Sequence, residues 1–588
     1  MGNLWQRIRN RVAFDGQQLQ RDLIAGLTVA AVAVPQDMAY AQIAGVPPQY
    51  GLYTGFVLTA LAALFGSSAH LISGPTNAIS LVVFSALAVL NFGPDDGAEM
   101  MQAVWLLAFL VGSIQLLIAL LKLGDLTRYV SESVLLGFMA GAGVLIVLGQ
   151  IPNLLGIKPQ GDGHLSVLRR LWLTLSEGGG VDPPSALLGV GTLVLLVPMR
   201  VLKQRLTMPF PDLLIALILA AVVAPSLGWH GATLEVERGL PAAVLPPLNR
   251  LDWLRPLSAS AVAIAVLGLL EAVAVSKSIA VHSKQRLDFN RECLGQGLAN
   301  LTGSFFQCMP GSGSLTRSNI NYQAGAVSRW SAVVNGLVVA AALLILAPLA
   351  RYIPKPALAA LLIITGYRLV DRKRFLYCLR ATRFDAVIAL STAAAAMFIS
   401  IELSILVGIC VSFLLFVPRA ARLQVTEMVV GPERMVRERQ PNDPTCGKLA
   451  IFALEGELFF GAAPLLAEFL DMLHQRVKQG ARVLVLRLKR TRNPDMVCLE
   501  ILQQFLEEMQ DRKVPVLLCG IRPDFRQALY NLRFHHWLPQ DCVFLEDVTM
   551  GSSTLQAVRR AYELLGNDVC ETCPRRDLSD KQEWYYMI

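Results

Sequence analysis

The chain has 588 residues, of which 54% are hydrophobic and only 16% are charged. Because soluble globular proteins carry about 25% charged residues, this composition excludes a single soluble domain. The formal net charge of +8 comes from the hydrophobic part of the chain, so we expect no nucleic-acid partner.

Charge density divides the chain near residue 420. Residues 421–588 contain 45 charged side chains in 168 positions, whereas the first 420 positions contain only 51. These densities are typical of soluble and membrane-embedded chains respectively. We therefore predict a cytoplasmic N-terminus at 1–21, a transmembrane domain at 22–420, a cytoplasmic α/β domain at 421–566 and a C-terminal tail at 567–588.

Fourteen apolar segments precede residue 420, and several are too short to cross alone, since a spanning helix needs about 20 apolar residues. Basic residues recur at every second connection, which predicts that both chain ends are cytoplasmic. The ten cysteines show no disulfide framework and the N-terminus shows no cleavable signal, so we expect a multi-pass protein of the inner (plasma) membrane. The predicted spans lie near 22–36, 52–66, 75–91, 102–122, 130–151, 185–199, 210–227, 258–281, 293–306, 317–325, 330–350, 356–370, 384–400 and 402–418.

The first span contains a proline with polar residues after it. Pro35 breaks the helical hydrogen bonding and frees carbonyl groups. Gln36 and Tyr40 are four residues apart and face the same side, which makes them candidate ligands for a polar substrate. The alternative is that Pro35 only kinks a packed helix and that Gln36 bonds a neighbouring carbonyl.

Two polar stretches interrupt the apolar pattern, at 73–77 and at 311–318. Each predicts extended backbone that leads into the N-terminus of a half-helix, with Pro75 suited to the first turn. Two such ends facing each other in the membrane would attract an anion through their unpaired N–H groups and partial positive charges. An offset of 241 residues pairs Thr76 with Arg317 and indicates an inverted repeat of seven plus seven helices, as in secondary transporters.

Two charged residues lie inside the apolar region. A guanidinium at membrane depth costs several kcal/mol unless it meets a cavity, an acid or a ligand, so we expect Arg317 to serve the anion site. Alternatively, Arg317 only pairs with a carboxylate or extends to the membrane surface. For Glu271 three roles are open: uptake and release of a proton during transport, pairing with Arg317, or coordination of Na⁺. No cofactor is expected apart from co-transported H⁺ or Na⁺.

The charged C-terminal part alternates between predicted strands and helices. Strands are predicted at 449–454, 482–488 and 514–519, with helices at 463–478 and 495–511 between them. This alternation is typical of a small α/β domain.

The run from Val34 to Tyr53 resembles the signature of the SulP anion permeases, which include sulfate, bicarbonate and dicarboxylate carriers. Gly74-Pro75-Thr76 and Leu315-Thr316-Arg317-Ser318 also fit, and the resemblance covers nearly the whole chain. It implies a seven-plus-seven inverted repeat, a core domain that moves like an elevator against a gate domain, and a homodimer. It assigns Glu271 to cation coupling, and it assigns to the anion site Gln36, Tyr40, Pro75, Thr76, Asn77, Thr316, Arg317 and Ser318.

The C-terminal part resembles a STAS domain. Met496 and Val497 follow Asp495 where stand-alone STAS proteins carry a regulatory aspartate-serine pattern, so we expect packing against the transporter and no phosphorylation switch. Cys570 and Cys573 lack a second ligand pair at zinc-finger spacing, which favours a solvated tail over a metal site.

The sequence therefore predicts a polytopic α-helical membrane protein with a STAS domain, which carries a small anion by secondary active transport. Sulfate with H⁺ symport is the first hypothesis, and bicarbonate or a C4 dicarboxylate is the alternative, because helix dipoles and an arginine favour any oxyanion. A nucleobase–cation symporter, which Arg317 disfavours, and a non-transporting sensor are further alternatives. No nucleophile–base set predicts an enzyme.

Overall fold

The computed structural model describes residues 16–588 except 91, 94–95, 126–130, 159, 161–166, 206–211, 228, 230, 232, 234–235, 432–434, 444–445, 547–551, 567, 569–584 and 587–588. The chain forms two compact units, Met1–Ser412 and Phe413–Ile588. The first unit is helical and the second contains a sheet with helices on both faces.

The first unit consists of helices and two very short strands. The strands are β1 (Ser73–Gly74) and β2 (Ser312–Gly313), and the last helix, α16, continues into the second unit. In chain order the helices are α1 (Gly16–Ile43), α2 (Pro48–Phe65), α3 (Asn77–Ala88), α4 (Gly97–Leu120), α5 (Glu132–Leu155), α6 (Val167–Glu177), α7 (Pro183–Arg205), α8 (Asp212–Val223), α9 (Leu251–Ser283), α10 (Phe289–Ser304), α11 (Leu315–Gln323), α12 (Trp330–Ala350), α13 (Lys355–Leu369), α14 (Arg372–Ala381), α15 (Arg383–Phe398) and α16 (Ile401–Ala420).

Each of the fourteen predicted spans coincides with one of these helices. The two additional helices, α6 and α14, lie where the sequence analysis leaves connections. Both are short and have a polar face as well as an apolar one, so neither produces a continuous apolar run that a span prediction detects.

Length and composition alone allow only some of these helices to cross a bilayer unbroken. Six described helices are long and apolar enough, and the shorter apolar ones include α3 and α8. Helices shorter than the bilayer are tolerated where the neighbouring irregular backbone is buried in protein, which is the arrangement on either side of β1 and β2.

One face of α7 is apolar and exposed. Leu187, Val190, Val194 and Val197 recur at helical spacing, and their exposed fractions are 60%, 42%, 63% and 57%. Apolar side chains exposed along one face of a helix would be unfavourable in water, so this face is suited to contact with lipid.

Close helix packing in the first unit depends on glycine. A Cβ atom added at Gly112 of α4 would lie 2.6 Å from the Cα of Leu301, and one added at Gly297 of α10 would lie 2.7 Å from the backbone N of Leu116. The backbones of α4 and α10 therefore touch, as small residues permit between membrane helices. Similarly, a Cβ atom added at Gly143 of α5 would lie only 2.7 Å from the carbonyl oxygen of Gly366 in α13.

The second unit is a mixed α/β domain. Its seven-stranded sheet has the order β8-β7-β6-β5-β3-β4-β9, in which β5, β6, β7 and β8 are parallel neighbours. The elements are β3 (Gln424–Val430), β4 (Met435–Glu438), β5 (Leu449–Glu457), α17 (Ala463–Lys478), β6 (Val483–Arg492), α18 (Met496–Asp511), β7 (Val516–Ile521), α19 (Pro523–Asn531), β8 (Val543–Leu545), α20 (Ser552–Leu565) and β9 (Tyr585–Tyr586).

Alternation along β6 distributes its side chains between two cores. Leu484 and Leu486 pack with residues of α17, α18 and α19, whereas Val483 and Val485 pack with residues of α20. This follows from the two-residue period of a strand, because successive side chains point to opposite faces of the sheet. The predicted strands and helices of this region all appear in the structure.

Asp495 has a structural position at the start of α18. Its side chain caps the helix by accepting a hydrogen bond from the backbone N–H of Cys498 at 3.0 Å. The next two side chains, Met496 and Val497, are exposed and carry no hydroxyl group. Burial raises the pKa of the Cys498 thiol to about 12, so the thiol stays protonated at neutral pH. Cys570 and Cys573 lie outside the described residues.

The glycine contact between α4 and α10 can be tested by adding a methyl group. We expect Gly112→Ala to destabilise the protein by about 1–3 kcal/mol, because the methyl would overlap the α10 backbone. The effect is measured as the thermal midpoint of the detergent-solubilised protein, with the folded fraction after heating monitored by size-exclusion chromatography. The control is Gly191→Ala on α7, where an added Cβ has no neighbour within 4 Å. Equal thermal midpoints for the two variants would contradict the close contact.

Candidate functional site

The two polar stretches of the sequence meet in a short antiparallel ladder. Ser73 of β1 pairs with Gly313 of β2, and Gly74 pairs with Ser312. Each strand leads within a few residues into a helix, β1 into α3 and β2 into α11. Antiparallel pairing relates the two strand-helix segments by approximate two-fold symmetry, as expected for inverted repeats.

Buried polar side chains satisfy the irregular backbone around this ladder. The hydroxyl of Ser312 donates to the carbonyl of Gly268 at 2.6 Å, and the amide of Gln296 donates to the hydroxyl of Ser73 at 2.8 Å. Asn300 bonds both backbone groups of Gly311, at 3.0 and 2.9 Å. Since each unpaired backbone group costs several kcal/mol inside a membrane, these side chains make the break in the helices possible.

The two half-helices begin differently. Thr76 is the N-cap of α3, and its hydroxyl accepts a hydrogen bond from the N–H of Ile79. Ser314 is the N-cap of α11, but its side chain makes no capping bond. Asn77 and Leu315, the first helical residues, therefore correspond at an offset of 238, and the strands β1 and β2 correspond at an offset of 239. The predicted offset of 241 residues is thus two or three residues too long. Thr76 matches Ser314 in the repeat and does not match Arg317.

Arg317 lies at the centre of the site and is fully buried. Its Nη1 donates to Oδ1 of Asp37 at 2.6 Å, and its Nη2 donates to the carbonyl oxygen of Pro75 at 2.6 Å. The guanidinium thus joins α11 to α1 and to the end of β1. Gly74 makes room for it: the residue has φ +150°, and a Cβ there would lie 3.0 Å from Nη1 of Arg317.

Glu271 of α9 contacts the other half-helix. Its Oε2 accepts a hydrogen bond from the hydroxyl of Thr76 at 3.2 Å. Within the described residues Arg317 forms its ion pair with Asp37, so the expected alternative in which Glu271 pairs with Arg317 does not match the structure. The carboxylate of Glu271 and the hydroxyl oxygen of Thr76, the N-cap of α3, are therefore adjacent.

The remaining predicted site residues divide into two groups. Gln36, Tyr40, Asn77 and Ser318 are buried, and the Ser318 hydroxyl accepts a hydrogen bond from the N–H of Ile72 at 2.9 Å. Thr316, in contrast, is exposed.

Several buried polar atoms around Arg317 have no hydrogen-bond partner. They are Oε1 of Gln36, Oδ2 of Asp37, Oδ1 of Asn77 and Nε of Arg317. Since nearly all buried polar atoms in proteins are paired, these four atoms leave hydrogen-bonding capacity that a bound ligand would use. No group of side chains able to hold a metal ion occurs within the described residues.

Comparison with known proteins identifies the family. The model of the sulfate permease family matches residues 19–392, and the STAS domain model matches residues 439–546. The chain belongs to the sulfate permease family. Its resemblance to the SulP permeases is confirmed, so it is a membrane transporter of anions and not an enzyme.

Similar proteins agree with this assignment. The sodium-independent sulfate anion transporter of Bos taurus is 32% identical over 446 residues, which cover 70% of this chain and 71% of that protein. The murine Solute Carrier 26 family member A9 anion transporter, in its inward-facing state, has the same fold, with a TM-score of 0.84 and 19% identity over 94% of this chain and 92% of that one. The transmembrane domain of the cyanobacterium bicarbonate transporter BicA matches 68% of this chain and 98% of its own, with a TM-score of 0.59 and 26% identity. The predicted fold class is confirmed.

Asp37 is the site residue that the sequence analysis missed. It is fully buried on α1, directly after Gln36, and is the partner of Arg317 in this permease. The predicted first span ends at residue 36, one residue before Asp37, whereas helix α1 continues to Ile43, so the carboxylate was not recognised as an intramembrane charge like Glu271. Gly51 and Gly55 of α2 press against Asp37, since a Cβ atom at either glycine would overlap it.

Removing the Asp37 charge should make the permease depend on an added anion for stability. Asp37→Asn leaves a buried guanidinium without its counter-ion, which typically costs about 3–5 kcal/mol. If an anion then replaces the carboxylate, sulfate at 100 times its Kd restores about 2.7 kcal/mol. We expect sulfate to raise the thermal midpoint of Asp37→Asn more than that of the original protein.

The control for this measurement is Asp22→Asn. Asp22 is also a buried carboxylate of α1, but it accepts hydrogen bonds from the backbone N–H groups of Val327 and Ser328, at 2.8 and 3.0 Å. This variant should lose stability without a larger response to sulfate. An identical sulfate shift in both variants would mean that the Arg317 pair does not face the anion.

Proposed function

We propose that this permease is a secondary active transporter of small oxyanions, sulfate in the first place, and that each anion is accompanied by H⁺. The observation that carries the proposal is the pair of half-helix N-termini joined by the β1–β2 ladder, with the Arg317 guanidinium between them. Backbone N–H groups, helix dipoles and an arginine together bind oxyanions strongly because all three offer positive charge and hydrogen-bond donors.

The charges of the site favour a proton as the coupling ion. With Arg317, Asp37 and Glu271 all ionised, the formal charge is −1, which opposes binding of an anion. One bound proton brings the sum to zero, and a second brings it to +1. Proton binding therefore promotes anion binding, and by thermodynamic reciprocity the anion promotes proton binding.

Packing in the first unit supports an elevator mechanism. The ladder unites α3 and α11, Glu271 unites α9 with α3, and Arg317 unites α11 with α1, so the elements around the anion form one connected body. A second group of helices is held together by its own glycine contacts, such as the one between α5 and α13. We infer that the first body carries the anion past the second during transport.

Bicarbonate or a C4 dicarboxylate is the second candidate substrate. BicA is 26% identical and matches most of the transmembrane unit, and its name describes a bicarbonate transporter. Helix dipoles and a guanidinium do not by themselves distinguish one oxyanion from another. We further propose that both chain ends are cytoplasmic, on the basis of the basic residues in alternate connections, and that the protein is a homodimer of the plasma membrane.

Substrate and site can be tested together in proteoliposomes. We expect uptake of labelled sulfate, with competition by bicarbonate, fumarate and succinate defining the preference. Arg317→Ala should lower uptake by roughly 10- to 150-fold, the equivalent of about 1.5–3 kcal/mol for a charged hydrogen bond. Arg317→Lys should retain part of it, because the charge is kept while the two-armed geometry is lost.

Arg351→Ala is the matched control, since Arg351 is exposed and stacks on Tyr352 at 5.0 Å. Normal uptake by a folded Arg317→Ala protein would remove Arg317 from the anion site. No uptake of any tested anion by the original protein would instead favour a sensor.

Proton coupling predicts a specific pH response. Uptake should rise as the external pH falls, because protonation of a site carboxyl removes negative charge. In Glu271→Gln that residue is permanently neutral, so we expect uptake to lose most of its pH dependence. The control is Glu177→Gln, an exposed acid on α6. Replacement of Na⁺ by choline should change nothing, in agreement with the name of the sodium-independent bovine relative. An unchanged pH profile of uptake in Glu271→Gln would show that Glu271 is not the proton-coupling residue.

A further inference from the structure

A cavity lies between α1, α3, α5 and α6. Its volume is about 150 Å³, and its lining combines apolar residues with several polar side chains. The polar residues of the lining are Gln42, Gln150, Asn153, Arg170 and Thr174.

Arg170 is the only charged side chain of this lining, and it has no acidic partner among the described residues. Its guanidinium lies over the ring of Phe84, with Cζ 5.3 Å from the ring centroid. This cation–π contact holds the group at the cavity without neutralising its charge. A half-buried guanidinium that faces a cavity and lacks a carboxylate is suited to an anion.

Neighbouring amides add further hydrogen-bond donors. The Oε1 atom of Gln150 accepts a hydrogen bond from Nδ2 of Asn153 at 3.0 Å, which leaves the Gln150 amino group free to donate. Thr174 is occupied, because it accepts a hydrogen bond from the N–H of Gln160 at 3.0 Å. The donors of the cavity are therefore Arg170 and Gln150, with Gln42 of α1 beside them.

The cavity borders α1 and α3, two of the helices that contribute residues to the candidate site. Leu81 and Phe84 are four and seven residues beyond Asn77 on α3, or roughly 6 and 10 Å along its axis at 1.5 Å per residue. Gln42 follows Tyr40 on α1 by two residues. Both α1 and α5 contribute their C-terminal ends, and these face outward if the N-terminus is cytoplasmic.

We propose that this cavity is a second, external oxyanion site, in which Arg170 and the Gln150 amide hold the anion before it reaches the half-helices. The proposal rests on the proposed function for the nature of its ligand. Arg170 contacts neither Arg317 nor the ladder, so its contribution is separate from theirs. Its effect should appear only when anions approach from outside.

Uptake kinetics measured separately from the external and the cytoplasmic side test this proposal. With sulfate as the probe, we expect Arg170→Gln to raise the external KM about tenfold while kcat and the KM from the cytoplasmic side stay within twofold. Arg170→Lys should recover part of the affinity. Arg169→Gln is the control, because it removes the adjacent charge from an exposed position that does not line the cavity. An unchanged external KM in Arg170→Gln, or an equal rise on both sides, would overturn the external site.

A second measurement does not depend on transport. Gly149 of α5 is exposed and lines the cavity, and a Cβ atom added there would meet only Val167, at 3.8 Å, so Gly149→Cys should react with a membrane-impermeant maleimide. We expect sulfate to slow this labelling at least fivefold, and to have no effect when Arg170→Gln is also present. If sulfate slows the labelling but is not taken up, the external anion site is supported and the proposed function is refuted. Sulfate uptake without protection would leave the proposed function intact and refute the cavity.

Discussion

The structure depends on satisfying backbone hydrogen bonds where two helices are broken inside the membrane. Neither half-helix can pair the backbone groups at its own start, and lipid offers no water in their place. The chain meets this requirement with a two-residue ladder and with side chains of Ser312, Gln296 and Asn300. Only because the flanking backbone is satisfied can the N–H groups at the helix starts remain available for an anion.

The charged groups obey a related constraint. A buried arginine without a counter-ion would destabilise the fold, and Asp37 supplies that counter-ion in the structure. Yet a permanently neutralised arginine attracts an anion weakly. In the proposed proton-coupled mechanism, exchange of the Asp37 carboxylate for the transported anion would reconcile stability of the unloaded protein with affinity for its substrate.

Hydropathy and composition were sufficient to predict the fourteen spans and the two interrupted segments. The same reasoning found Arg317 and Glu271, because a charge within an apolar run is visible in a single sequence. It could not find the pairing of Arg317 with Asp37, which are 280 residues apart, nor the register of the repeat, which differs from the predicted offset by two residues at the strands and by three at the helix starts. The helix α6, and with it the Arg170 cavity, escaped prediction because Arg169 and Arg170 interrupt its apolar run in the sequence.

The glycines of α2 have a consequence for variation in this protein. Gly51 and Gly55 leave no clearance for a methyl group beside Asp37, although neither glycine touches Arg317 or lies on a broken helix. An added methyl group would overlap the Asp37 carboxylate at Gly55 and the Asp37 backbone carbonyl at Gly51. Alanine at either position would therefore displace Asp37 and disturb its pairing with Arg317. Loss of transport through such substitutions would therefore arise from steric displacement, without any change in the ionisable residues themselves.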